Sequence, residues 1–188
     1  MKTRLIGIMI ILIFGYFIFS TVRYQQLIND GSRISDEQCL KVNPLVIDRQ
    51  NSYLASMKIL LNHGSVEEYW KEMNKYLEVT GKYIEAQKAW LASQKTFMSQ
   101  WGYDLFVPPK VRDLNRAQYT SREADTKAKE ILVELFSPTF SKLDVKQQEA
   151  LINVATNETK KSKEADDELN KIWDSPKDKF DLRNYFTR

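Results

Sequence analysis

The chain has 188 residues, 43% of them hydrophobic and 28% charged, a composition that suits one folded domain with a sizeable core rather than disorder. Its formal charge is +3, and from Gly31 onward 25 basic residues are interleaved with 24 acidic ones, so it has no basic stripe of the kind that neutralises phosphates and nucleic acid is not an expected partner. The single cysteine, Cys39, excludes an internal disulfide and a cysteine-based structural zinc site; the fold must rest on packing, with the thiol read as an inert small hydrophobe.

The first element is membrane-like. Eighteen residues from Leu5 to Val22, LIGIMIILIFGYFIFSTV, carry no charge and lie between Lys2-Thr3-Arg4 and Arg23. That length falls in the lower part of the spanning range, and hydrocarbon obliges such a segment to be helical because the bilayer core offers its backbone no partners. The run is longer than a usual signal-peptide core. Ile18-Phe19-Ser20 makes a poor small-x-small cleavage site, so residues 1–30 are expected to form a retained anchor and juxtamembrane helix in contact with the bilayer through residues 5–22. Lys2 and Arg4 favour a cytoplasmic N-terminus and an extracytoplasmic remainder, with Arg23, Arg33 and Lys41 as a partial counterweight. Asn29-Asp30-Gly31 offers a stop signal, and residues 31–43 are read as a linker.

Residues 44–175 are expected to form an antiparallel three- or four-helix coiled-coil-like bundle, which makes the chain all-α with a single N-terminal transmembrane helix. Asn43 can cap the first soluble helix, with Pro44 in its first turn and Leu45, Val46, Tyr53, Leu54, Met57, Leu60 and Leu61 forming its apolar face before Gly64. The next helix, over Val66 to Trp101, opens with Ser65-Val66-Glu67-Glu68, a capping-box pattern. Within it Tyr69, Tyr76, Tyr83, Trp90 and Phe97 recur every seven residues, each followed by Trp70, Leu77, Ile84, Leu91 or Met98. Such recurrence specifies a long helix in a left-handed supercoil. A third row, Met73, Thr80, Gln87, Gln94 and Trp101, is polar at its centre; Thr80, Gln87 and Gln94 either set register inside the core or open onto a wet groove.

Pro108-Pro109 ends this stretch, with Leu105-Phe106-Val107 expected to pack across one end of the bundle. The third helix is expected from Val111 to Phe136, its small residues Ala117, Ser121, Ala124 and Ala128 receiving the aromatics of the second. Asp144, three residues before Gln147, can cap a fourth helix, which Pro176 ends. Residues 176–188 form a tail in which Phe180, Tyr185 and Phe186 alternate with charge, a second candidate attachment point.

Residues suited to catalysis are scarce. His63 is the only histidine and sits beside Gly64 at a helix end, where interaction with the terminal carbonyls suits it better than metal ligation. The glycines are scattered singly, so no phosphate-cradling loop is present, and no strand-turn-helix serine motif occurs. Glu67-Glu68 and Asp166-Asp167-Glu168 lie beside lysines on helices and read as solvated faces, while Asn157-Glu158-Thr159 is a weak match to a glycosylation acceptor. No catalytic residue, metal site or cofactor is expected, and the chain is not read as an enzyme. The expected role is that of a membrane-anchored interaction subunit. A protein partner or a second copy would dock on Tyr69, Tyr76, Tyr83, Trp90, Phe97 and the aromatic tail; the alternative is a ligand-binding module built on the groove at Thr80, Gln87 and Gln94.

Overall fold

The computed structural model describes residues 2–137 and 140–174, all of them in helices or short connections, with no strand among the described residues. Helix α1 (Lys2–Glu37), a π-helical turn (Gln38–Val42) and α2 (Asn43–Leu61) follow one another without a break, a rod of about 60 residues or about 90 Å at 1.5 Å per residue. One helix is long and apolar enough to cross a membrane, and its side chains from Ile11 to Phe19 are exposed.

The stop expected at Asn29-Asp30-Gly31 does not occur. Two of the three residues that resembled a stop are used in packing: Asp30 Oδ2 accepts from Gln100 Nε2 at 2.8 Å, and a Cβ on Gly31 would lie 3.4 Å from the Phe97 ring, so glycine permits a close approach of two helices. The segment read as a linker is helical. Pro44 stands in the first turn of α2 as expected, but the helix does not begin afresh there: Asn43 is itself helical and makes no side-chain cap. The proline sits just after the π-turn, where Asn43 N–H bonds to Gln38 O, five residues back. Proline lacks an amide donor and its ring clashes with the carbonyl four residues earlier, so a wider turn immediately before it is the physical accommodation.

Helix α3 (Val66–Met98) runs back along this rod. Ser65 accepts from Glu68 N–H while the Glu68 carboxylate accepts from Ser65 N–H, which completes the capping box. Before it, His63 takes a positive φ of 54° and Gly64 N–H bonds to Ile59 O at 2.8 Å. Gly64 is required sterically, since a Cβ there would meet Ile59 Cγ2 at 2.6 Å. His63 meets the helix end through its backbone, with N–H donating to Leu60 O.

On the rod, the buried seam is Leu27, Ile34, Val42 and Ser56, with Arg49 half-buried between the last two. Leu54, Leu60 and Leu61, expected on the apolar face, are exposed instead. Seven residues separate Leu27 from Ile34, eight separate Ile34 from Val42, and seven again lead to Arg49 and Ser56; the π-turn contributes the extra residue and keeps the seam on one side. Opposite lie Tyr83, Ile84, Trp90, Leu91 and Phe97, with Trp90 Nε1 donating to Ile34 O at 3.1 Å.

Helix α3 ends near Met98 rather than Trp101, and Gly102 leads into the four-residue helix α4 (Tyr103–Phe106). Helix α5 (Pro109–Leu135) then returns along α3, joined to it by the Tyr83–Asp125 hydrogen bond and the Lys88–Glu130 ion pair. Its small stripe was expected to receive the aromatics of α3. At Ser121 that stripe meets α6 (Val145–Asp174) instead, the hydroxyl donating to Asp166. Asp144 caps α6 reciprocally with Gln147, at 2.9 and 3.1 Å. Cys39 is exposed on the π-turn, not buried as a small hydrophobe.

Candidate functional site

The π-turn has a second effect: it leaves a cleft of about 240 Å³ between the rod, α3 and α5, lined by Gln38, Val42, Asn43, Val46, Ile47, Tyr83, Gln87 and Arg122. Gln87 is 0% exposed, and neither its amide nitrogen nor its amide oxygen has a hydrogen-bond partner among the described residues. A buried amide left so costs about 1–3 kcal/mol, enough to need an explanation in a folded chain.

Around Gln87 the chemistry is polar and cation-rich. The Tyr83 hydroxyl donates to Asp125 Oδ2 at 2.6 Å; burial, and then the Asp125 charge and the hydrogen bond itself, push the phenol well above the usual tyrosine range. The Arg49 guanidinium lies 4.6 Å over the Tyr83 ring, and its Nη1 is buried without a hydrogen-bond partner among the described residues. Gln38 Oε1 accepts from Gln118 Nε2 at 2.9 Å, which ties the π-turn to α5. Amide, neutral phenol and guanidinium groups are hydrogen-bonding and charge-pairing groups. They are poor proton-transfer groups at neutral pH. The volume lies below the range of about 300–1,000 Å³ typical of sites for drug-sized ligands and suits water or a small polar molecule. A larger depression of about 450 Å³ on α6 is bounded by Val154, Asn157, Glu158, Lys160, Lys161 and Glu164, all from one helix, and so encloses nothing.

The expected groove is therefore only partly assembled. Thr80, Gln87 and Gln94 are all buried, but Thr80 bonds back to Tyr76 O at 2.7 Å, and only Gln87 lines the cleft. Sequence reasoning missed Gln38, Asn43 and Arg122. The signal for the first two was the eight-residue interval between Ile34 and Val42, a phase skip that marks a bulge in a helix of otherwise seven-residue period.

The aromatic stripe divides by depth. Tyr83, Trp90 and Phe97 are buried and make intramolecular contacts, Phe97 standing edge-on to Tyr103 at 5.1 Å. Tyr76 and Tyr69 are half-buried, at 5.7 Å from Tyr53 and 5.6 Å from Trp70. Surface that the stripe can offer another molecule is thus confined to its N-terminal end. Phe180, Tyr185 and Phe186 lie outside the described residues. No group of three or more His, Cys, Asp or Glu residues placed to hold a metal ion occurs among the described residues. No protein-family model, curated protein or solved structure matches the chain.

Proposed function

We propose that the chain is a single-pass membrane protein in which residues 5–22 span the bilayer and hold an antiparallel, coiled-coil-like helical bundle as an interaction subunit of a membrane or envelope complex. The reading takes the N-terminus as cytoplasmic and the helical part as extracytoplasmic, on the strength of Lys2 and Arg4. The observation that carries it is the apolar turn between α2 and α3. There Leu60 and Leu61 at the end of the rod farthest from the span, and Val66 and Trp70 in the first turns of α3, are all exposed, Leu61 at 76%. Apolar side chains gathered at a tip, rather than scattered singly, are the usual mark of a protein-binding surface.

Solubilised in mild detergent, the full-length protein is expected to elute as a complex heavier than one chain by light scattering. Leu61→Ser with Trp70→Ala should release it as a monomer while leaving the helical circular dichroism signal almost unchanged, because both side chains sit at the surface of the single chain. A wild-type chain that is already a monodisperse monomer would sink the assembly reading.

A second reading, a small polar ligand in the cleft, is favoured by Gln87 alone. Where the amide is unpartnered, Gln87→Met exchanges an unsatisfied polar group for an apolar one of similar shape, and a gain of about 1 kcal/mol raises Tm by about 2–4 °C. That is the expected result. A fall in Tm after Gln87→Met would instead mean that the amide is bonded within the cleft, and would move weight to the ligand reading.

A further inference from the structure

The turn between α3 and α5 lies beside the base of the rod. Arg23 is the first charge after the uncharged run, and its side chain clamps this turn: Nε donates to Trp101 O at 2.9 Å and Nη2 to Gln100 Oε1 at 2.9 Å. Gln100 passes the connection on to Asp30. Phe19, one helical turn toward the membrane side of Arg23, has its ring 5.4 Å from that of Trp101. The indole therefore touches a side chain of the uncharged segment, beyond the first charged residue.

Local geometry keeps this turn apolar on its outer side. Gly102 has φ +84°, and a Cβ there would lie 2.9 Å from Phe106 Cδ2, so the reversal fits glycine alone. The reversal sends Tyr103 into the core at 1% exposure and leaves Trp101 60% and Leu105 75% exposed, with the Phe106 ring 6.3 Å from Trp101. Asp104, between them, has its Oδ1 held by Arg112 at 3.1 Å and Arg116 at 3.2 Å, so its charge is offset where a bare carboxylate would resist approach to lipid.

We infer that this turn is a second membrane contact, with Trp101 and Leu105 seated in the interfacial layer of the bilayer beside the base of α1. The inference rests on the reading of residues 5–22 as a span. A bilayer fits the surface better than a protein partner because the apolar surface is continuous with the span through Phe19, and because a tryptophan ring beside the first charge is the side chain the interface favours. Anchored at two points, the helical part stands at a fixed angle to the membrane instead of pivoting on α1.

The test uses the full-length protein in phosphatidylcholine vesicles whose acyl chains carry bromine close to the headgroup, which quenches nearby indoles. Flotation of the same vesicles on a density gradient reports insertion independently. Wild type and Trp70→Phe are expected to float and to be quenched alike, whereas Trp101→Phe floats but loses most of the quenched emission. Flotation with quenching unchanged by Trp101→Phe overturns the second contact and leaves the span standing. Wild-type protein that fails to float overturns both.

Discussion

Replacing Ile84 by Asp is expected to abolish the cooperative melting transition of the full-length protein in detergent, followed by circular dichroism at 222 nm. Ile84 is 6% exposed and lies in the buried cluster with Tyr83, Trp90 and Leu91 at the contact of α3 with the rod. An aspartate there loses the apolar contacts and carries into the core either an unpaired charge or an unsatisfied carboxyl. The penalty is several kcal/mol against a total stability of about 5–15 kcal/mol. Two companions isolate the cause. Ile84→Val removes one methylene and should cost about 0.5–1.5 kcal/mol. Glu85→Ala, one residue along on the exposed face, should stay within about 0.5 kcal/mol of wild type. A melting curve left intact by Ile84→Asp would place Ile84 outside the seam and invalidate the packing of α3.

Helix α3 was readable because its signals are local and repeated. Ser65 and Glu68 specify its start by satisfying each other's neighbouring donors, and the seven-residue aromatic spacing specifies its packed side, buried at Tyr83, Trp90 and Phe97; Asp144 with Gln147 did the same for the start of α6. The rod was misread where a local signal and a tertiary use compete. Asn29-Asp30-Gly31 has the composition of a helix end, yet Gly31 is there for the Phe97 ring and Asp30 for Gln100, contacts about 70 residues away that no local pattern announces. Pro44 likewise has the residue type of a first turn. Only the widened turn before it lets the helix continue, and a π-turn has no composition of its own. Of the candidate site, Gln87 was visible as a polar residue in a core row. Arg122 was not, because nothing in α5 alone shows which of its polar residues faces the π-turn.

The eight-residue interval leads to the sharpest test of the rod. In an α-helix seven residues bring a side chain almost back to its starting angle, and an eighth turns it by about 100°. The π-turn absorbs that excess, so Val42, Arg49 and Ser56 stay in line with Leu27 and Ile34. Deleting Leu40, which is 76% exposed, restores a seven-residue interval; Pro44→Ala must accompany it, because proline inside an uninterrupted α-helix costs about 3 kcal/mol. The Leu40 deletion combined with Pro44→Ala is therefore expected to keep full helicity and a melting temperature at or above that of wild type, while removing the widened turn that lines the Gln87 cleft. Deleting the exposed Ser32 instead rotates everything before it by the same 100° relative to Ile34. Leu27 then leaves its buried place, Gly31 no longer faces Phe97, and Arg23 is carried away from Trp101. Loss of the Leu27 burial alone is worth about 1.5–3 kcal/mol, and with the Arg23 clamp gone a fall in Tm of about 10 °C or more is expected. Equal losses from the two deletions would show that the extra residue does not correct the phase of the seam. A helix whose seam depends on one inserted residue tolerates a deletion at the insertion and at few other places along its packed length.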